Sequence, residues 1–372
     1  MITNYKLNIL IFIIILLVLV LIHEFGHFFS AKKFGIRVDE FGFGFPPKLF
    51  GIKKGETEYT FNLLPIGGFV KIFGENPDEE NTNGPDASRS FINKPKYKQA
   101  IVLLAGVFAN FLLAWILFSI GFLSGLPTSV GSEPKGYKIV DSHLVVVSVL
   151  DDSPSEKGGL RSGDRIISLR SENEIVSEIN PDILKSFVVS HGDKEIEIGY
   201  TRGKNIETNI VKIIPIKNSV NESYSIGISM DQIGIVKLPI LRAFWEGFKL
   251  DWFVAKGTVI GLYTLIKEGI MGEGSFDSVT GPVGMVGIVG DAYQFGFVYL
   301  LSFAGLISVN LAIINLLPFP ALDGGRLFFL LIEKIKGSRI NPKFANGANM
   351  VGFLILIILM LLITYHDIIK LF

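Results

Sequence analysis

The chain has 372 residues, 49% of them hydrophobic and 19% charged, and its 35 basic and 35 acidic side chains cancel. The charged fraction is below the roughly 25% of soluble domains. With a mean hydropathy of +0.47, this favours a membrane unit with one soluble domain over two soluble domains. Zero net charge gives no global field for nucleic acid or an acidic substrate. The absence of Cys excludes disulfides, thiolate metal sites and cysteine nucleophiles, and the five histidines are His23, His27, His143, His191 and His366.

Residues 1–31 are read as the first of four membrane helices. Ile9 to Ile22 is unbroken apolar sequence. The run reaches the roughly 20 residues needed to span only by taking in His23, Glu24 and His27. No small-x-small cleavage site follows it, so it is not read as a signal peptide. Residues 36–74 form a β-rich loop, with strand composition at 58–63 and 68–73 around a Pro65-Ile66-Gly67 turn. Strands beside a membrane site can clamp an extended chain by β-augmentation, which makes Gly67, Gly68 and Phe69 candidate substrate contacts. Residues 75–99 are polar and read as a mobile cytoplasmic loop. Residues 100–126 are the second span, in which Gly106 and Asn110 are read as close helix packing with an interhelical hydrogen bond.

Residues 135–232 read as a small mixed domain, with a helix over 181–190. A hairpin of 195–200 and 206–213 turns at Thr201-Arg202-Gly203-Lys204. Its segment from Ser153 to Ile167, SPSEKGGLRSGDRII, resembles the helix, Gly turn and strand of bacterial PDZ domains. That resemblance implies binding of an extended peptide or protein ligand. Residues 238–290 are an interfacial amphipathic helix and a connecting loop, because Arg242, Glu246, Lys249, Asp251 and Lys256 interrupt the apolar pattern. Residues 295–325 carry the third span and 347–367 the fourth. The loops after spans one and three are rich in Lys and Arg, so both are cytoplasmic by the positive-inside rule. The mixed domain and both termini then lie outside.

His23 and His27 are four residues apart and share a helix face. Two imidazoles so placed can hold Zn²⁺, with the adjacent Glu24 as general base toward water. A catalytic zinc takes three protein ligands and keeps one open position. The other histidines lie at the outer side, and no histidine stands where an extended HExxHxxGxxH pattern needs one. The missing ligand is therefore a carboxylate at matching depth, and Asp323, at the inner end of span three, fits. Glu40, Glu56 and Glu58 are alternatives for the third position. The prolines and glycines from Asn315 to Gly325 preclude a regular helix there, and Asn315 could hydrogen-bond a substrate backbone. A scaffold or transporter using the intramembrane charges as a relay is the non-enzyme reading.

The HEFGH stretch at His23–His27, Gly42-Phe43-Gly44, the segment Gly68 to Lys71, Gly106-xxx-Asn110, Gly281-Pro282-Val283-Gly284 and the Asn315–Gly324 segment NLLPFPALDG together resemble the bacterial site-2 proteases. These are intramembrane zinc metalloproteases of the RseP-like kind. The resemblance runs nearly end to end. It implies a multi-pass α-helical protein of the bacterial inner membrane, with His23, His27 and Asp323 as zinc ligands and Glu24 as base. It implies Asn315 and the β-rich loop in substrate handling. It further implies cleavage of single-span membrane proteins, such as anti-sigma factors or remnant signal peptides, in regulated intramembrane proteolysis. One PDZ repeat is visible where some members carry two.

Overall fold

A computed structural model of the chain describes residues 2–76, 79–172, 174–203, 207–217, 223–272 and 279–369. Lys204, in the turn of the predicted hairpin, lies outside them. In chain order the elements are α1 (Ile2–Lys33), β1 (Val38–Lys54), β2 (Thr57–Ile72), α2 (Glu79–Asn83), α3 (Lys96–Ser124), β3 (Leu126–Ser129), β4 (Val140–Val149), α4 (Pro154–Lys157), β5 (Arg165–Ser171) and β6 (Glu174–Val176). There follow α5 (Pro181–Ser190), β7 (Ile196–Thr201), β8 (Asn209–Ile213), β9 (Ile216–Lys217), β10 (Tyr224–Ser225), β11 (Ile228–Val236), α6 (Ile240–Met271), α7 (Pro282–Phe295), α8 (Phe297–Leu316), α9 (Asp323–Lys336) and α10 (Pro342–Ile369). The chain divides into two compact units, residues 1–119, 247–290 and 302–372, and residues 120–246 with 291–301.

Four helices among the described residues are long and apolar enough to cross a membrane: Lys6–Lys33, Lys96–Ser124, Phe297–Leu316 and Pro342–Ile369. Helix α6 is not among them. Its buried residues Ala243, Asp251 and Ala255 fall at helical spacing while Trp245, Trp252 and Phe253 are exposed. That is the one-sided pattern of an amphipathic helix.

The β-rich loop is more folded than its composition suggests. β2 runs through Pro65 and Gly67, which bend the strand at a φ of 92° for Gly67 and do not end it as a turn. The start of β1 is paired on two sides, Phe41 and Gly42 matching Val70 and Phe69 on one and Tyr59 and Thr60 on the other. Phe28 of α1 packs edge-on against Phe41, which ties this sheet to the helix that bears the histidines.

Two expectations are corrected here. The stretch 75–99, read as a mobile loop, carries α2 and the first residues of α3, with Ser90 and Phe91 buried. Its polar residues bond inward, the Asn93 amide donating to the carbonyls of Thr82 and Ala87 and Arg37 pairing with Asp86. The connecting loop expected before residue 290 includes helix α7. The Asp367 carboxylate of α10 accepts from the backbone N–H groups of Gly281 (3.1 Å) and Gly284 (2.8 Å), satisfying donors at the start of α7. No local signal reveals a cap that lies more than 80 residues away in sequence.

The second unit is built on one antiparallel sheet in the order β3-β11-β4-β5-β7-β8, with β6 on β5. It is wider than the 135–232 expected, because β3 joins at one edge by pairing with the end of β11. Strand β4 turns Leu144 and Val146 inward onto Ile166, Leu169, Ile196 and Ile198. Helix α5 starts where Asn180 accepts from the Ile183 N–H at 2.9 Å, with Pro181 in the first turn, and it buries Leu184, Phe187 and Val188. The SPSEKGGL run folds as α4, capped by the Ser153 hydroxyl, and leads through the Gly163 turn into β5.

Beside that turn Asp164 is fully buried. It accepts from Arg202 Nε (2.6 Å) and Nη2 (2.7 Å) and from the Arg161 backbone N–H (2.8 Å). Asp164→Ala leaves Arg202 Nε and the Arg161 N–H without this acceptor, while Nη2 keeps its bond to the Gly159 carbonyl (2.8 Å). The expected loss is about 1–3 kcal/mol of stability in this unit, read as faster amide hydrogen exchange in β5 and β7 of the full chain. Unchanged exchange there would show that the pair contributes nothing.

Candidate metal centre

Helix α1 carries His23, Glu24 and His27 near its last turns, and both imidazoles are 6% exposed. The facing carboxylate comes from the break between α8 and α9. Helix α8 ends at Leu316, ahead of Pro318 and Pro320, and α9 begins at Asp323. The connection is held by local bonds, Leu322 N to Phe319 O (3.1 Å) and Gly325 N to Leu322 O (3.0 Å). The Asn349 amide oxygen of α10 accepts from Ala321 N at 3.1 Å. A side chain at position 324 would sit 2.3 Å from the carbonyl oxygens of Leu316 and Leu317, so only glycine lets the chain turn this tightly behind Asp323.

Three ligand atoms converge. Asp323 Oδ2 lies 2.9 Å from His23 Nε2 and 3.1 Å from His27 Nε2, and the two Nε2 atoms are 3.1 Å apart. A tetrahedral ion with bonds of about 2.0–2.1 Å has ligand–ligand edges of about 3.3–3.4 Å, so this triangle is within a few tenths of an ångström of that size. The far side of each ring is also occupied. His27 Nδ1 meets the Val102 carbonyl at 2.8 Å, which makes Nδ1 the donor and leaves the Nε2 lone pair for a cation. His23 Nδ1 meets the amide of Asn110 at 3.4 Å. A Cβ at Gly106 would fall 2.3 Å from His27 Nε2, so α3 can approach the two rings only as glycine. The donor set and its geometry fit zinc.

The three residues border a cavity of about 370 Å³. Glu24, Asn315, Gly68 and Phe69 also line it, so of the candidate base, first-choice ligands and substrate contacts all but one share one space. Gly67 is the exception and stands behind the wall, where a Cβ would meet the Phe45 ring at 3.1 Å. The alternative third ligands are engaged elsewhere. Glu56 pairs with Lys32 and Arg89, Glu58 with Lys48, and Glu40 accepts from Thr60.

The sequence reading missed Phe45, Leu311, Glu75 and Arg326, which also line the cavity. Arg326 forms an ion pair with Glu75. Arg326 was accessible to sequence reasoning, since a residue three after Asp323 on a helix shares its face. Glu75 carried no such signal.

One helix presenting two imidazoles to a facing carboxylate, with Glu24 in the same cavity, defines a hydrolytic metal centre of the zinc protease kind. Comparison with known proteins agrees. The peptidase family M50 profile matches residues 11–359. A Clostridium perfringens protein that bears the name of a zinc metalloprotease is 37% identical over 355 residues, covering 94% of this chain and 95% of its own length. Zinc metalloprotease RasP of Bacillus licheniformis is 30% identical over 437 aligned positions, covering 97% and 98%. Among solved structures, the PDZ domain of an SdrC-like protein from Listeria monocytogenes aligns with 25% of this chain and 92% of its own. It does so at 20% identity and a TM-score of 0.21. The chain belongs to peptidase family M50, the site-2 proteases, and is a membrane zinc metalloprotease.

Proposed function

We propose that His23, His27 and Asp323 bind a catalytic zinc and that Glu24 is the general base of an intramembrane endopeptidase. The observation that carries this is the meeting of three ligand atoms within about 3 Å of one another, in a cavity that also holds Glu24. When bound, zinc supplies a Lewis acid that polarises the scissile carbonyl and makes water acidic enough to lose a proton near neutral pH. Glu24 takes that proton and returns it to the leaving amine. The Asn315 amide, which also lines the cavity, donates to a substrate carbonyl. The strand segment Gly68–Val70 adds the unwound substrate as a further strand, its backbone supplying sequence-independent bonds. Gly67 gives the bend that presents it.

The substrates on this reading are single-span membrane proteins, anti-sigma factors or remnant signal peptides, cut in or beside the bilayer in regulated intramembrane proteolysis. The positively charged loops after the first and third spans support a site toward the cytoplasmic face of the bacterial cell membrane, with the second unit and both termini outside. A peptide role for that unit is supported by a cavity of about 350 Å³ between α5 and β11, lined by Leu184, Val188, Ile226, Ile228 and Met230. The test uses full-length protein in lipid vesicles with a single-span substrate. Cleavage within the span that stops on zinc chelation and returns with added zinc is expected. A zinc-loaded protein that cuts soluble peptides but spares the spanning substrate would overturn the intramembrane reading.

A further inference from the structure

Asn110 is fully buried on α3, one turn beyond Gly106. Its side chain is not needed to join α3 to α8, because its backbone carbonyl already accepts from the Ser308 hydroxyl at 2.8 Å. Its amide group is the polar contact described at His23 Nδ1, through the amide nitrogen at 3.4 Å. Its oxygen has no hydrogen-bond partner among the described residues, so nothing on that atom pins the amide in this orientation.

The orientation decides which nitrogen of His23 carries the proton. A neutral imidazole has one N–H and one lone pair. With the amide nitrogen donating to Nδ1, the ring proton must sit on Nε2, the atom 2.9 Å from Asp323 and 3.1 Å from His27 Nε2. A protonated Nε2 cannot be a ligand. Exchanging the amide oxygen and nitrogen, atoms of nearly the same size, reverses this without moving the chain. The Asn110 carbonyl then accepts from Nδ1–H, and the Nε2 lone pair points into the cluster.

We infer that Asn110 is a positioning residue for the metal centre, its Oδ1 accepting from His23 Nδ1–H and fixing His23 as an Nε2 ligand. This rests on the proposed zinc site. It gives both imidazoles the same support, a carbonyl oxygen on Nδ1, from Val102 for His27 and from Asn110 for His23. Both supports come from α3. The helix that Gly106 admits to the two rings therefore also sets their tautomers.

The test compares zinc affinity, by chelator competition, and the visible spectrum of the cobalt-substituted full-length protein in wild type, Asn110→Leu and Asn110→Asp. Leu keeps the volume and removes the acceptor. Asp keeps an acceptor and removes the donor. Asn110→Leu is expected to bind zinc about 10- to 100-fold more weakly, the range for losing an outer-shell partner of a metal-bound histidine. Asn110→Asp should bind at least as tightly as wild type, with a cobalt spectrum of the same form. Wild-type affinity in Asn110→Leu overturns the inference, and so does a loss in folded Asn110→Asp as large as in Asn110→Leu. If Asn110→Asp does not fold, the affinity and spectrum of Asn110→Leu decide alone. Failure of the wild type itself to bind zinc would instead sink the proposed site.

Discussion

Glu24→Gln is expected to keep its zinc and to cleave about 100- to 10,000-fold more slowly, the range that a positioned proton acceptor contributes. Glutamine is close to glutamate in size, so the cavity wall and the three ligand atoms are left as they are. What is lost is the carboxylate that accepts the water proton. Measurement requires the cleavage rate per bound zinc for the full-length protein on a single-span substrate. A variant that loses zinc and activity together would make Glu24 a ligand. One that keeps full activity would remove it from the chemistry.

The second large effect belongs to Asp323. Asp323→Ala removes the only carboxylate among the described residues that meets both histidine Nε2 atoms. Loss of an outer-shell partner alone weakens metal binding about 10- to 100-fold. Removal of a ligand should exceed the upper end of that range and abolish detectable cleavage. Alanine adds no bulk at the start of α9, and Gly324 and Gly325 still allow the turn, so the helical unit should remain folded. Retention of zinc and activity would return the third ligand to one of Glu40, Glu56 and Glu58, although those side chains are engaged in other bonds.

The site was legible in the sequence to the extent that its chemistry is local or follows by elimination. His23, Glu24 and His27 declare themselves by helical spacing within an apolar run. Asp323 was expected because the sequence holds no Cys, the other histidines were read at the outer side, and the assigned span directions matched its depth to that of His23. Helix α5 was legible because Asn180 and Pro181 mark its start. What stayed hidden depends on partners distant in sequence. The double pairing of β1 with β2 joins residues up to 34 positions apart, as in Val38 with Ile72, and composition alone suggested only two short strands around a turn. Helix α7 draws its cap from α10, and Glu75 gains its place from Arg326. Asn110 was read as packing because a helix-interior asparagine next to glycine is most simply an interhelical contact. Only the His23 ring opposite its side chain suggests otherwise.

The most direct measurement is zinc K-edge X-ray absorption on the full-length protein. Two imidazole nitrogens and oxygen ligands at about 2.0–2.1 Å in a four-coordinate shell are expected, the pattern of two histidines, one carboxylate and an open position. A shell without imidazole scattering, or with three or more imidazoles, would contradict a centre made of His23, His27 and Asp323.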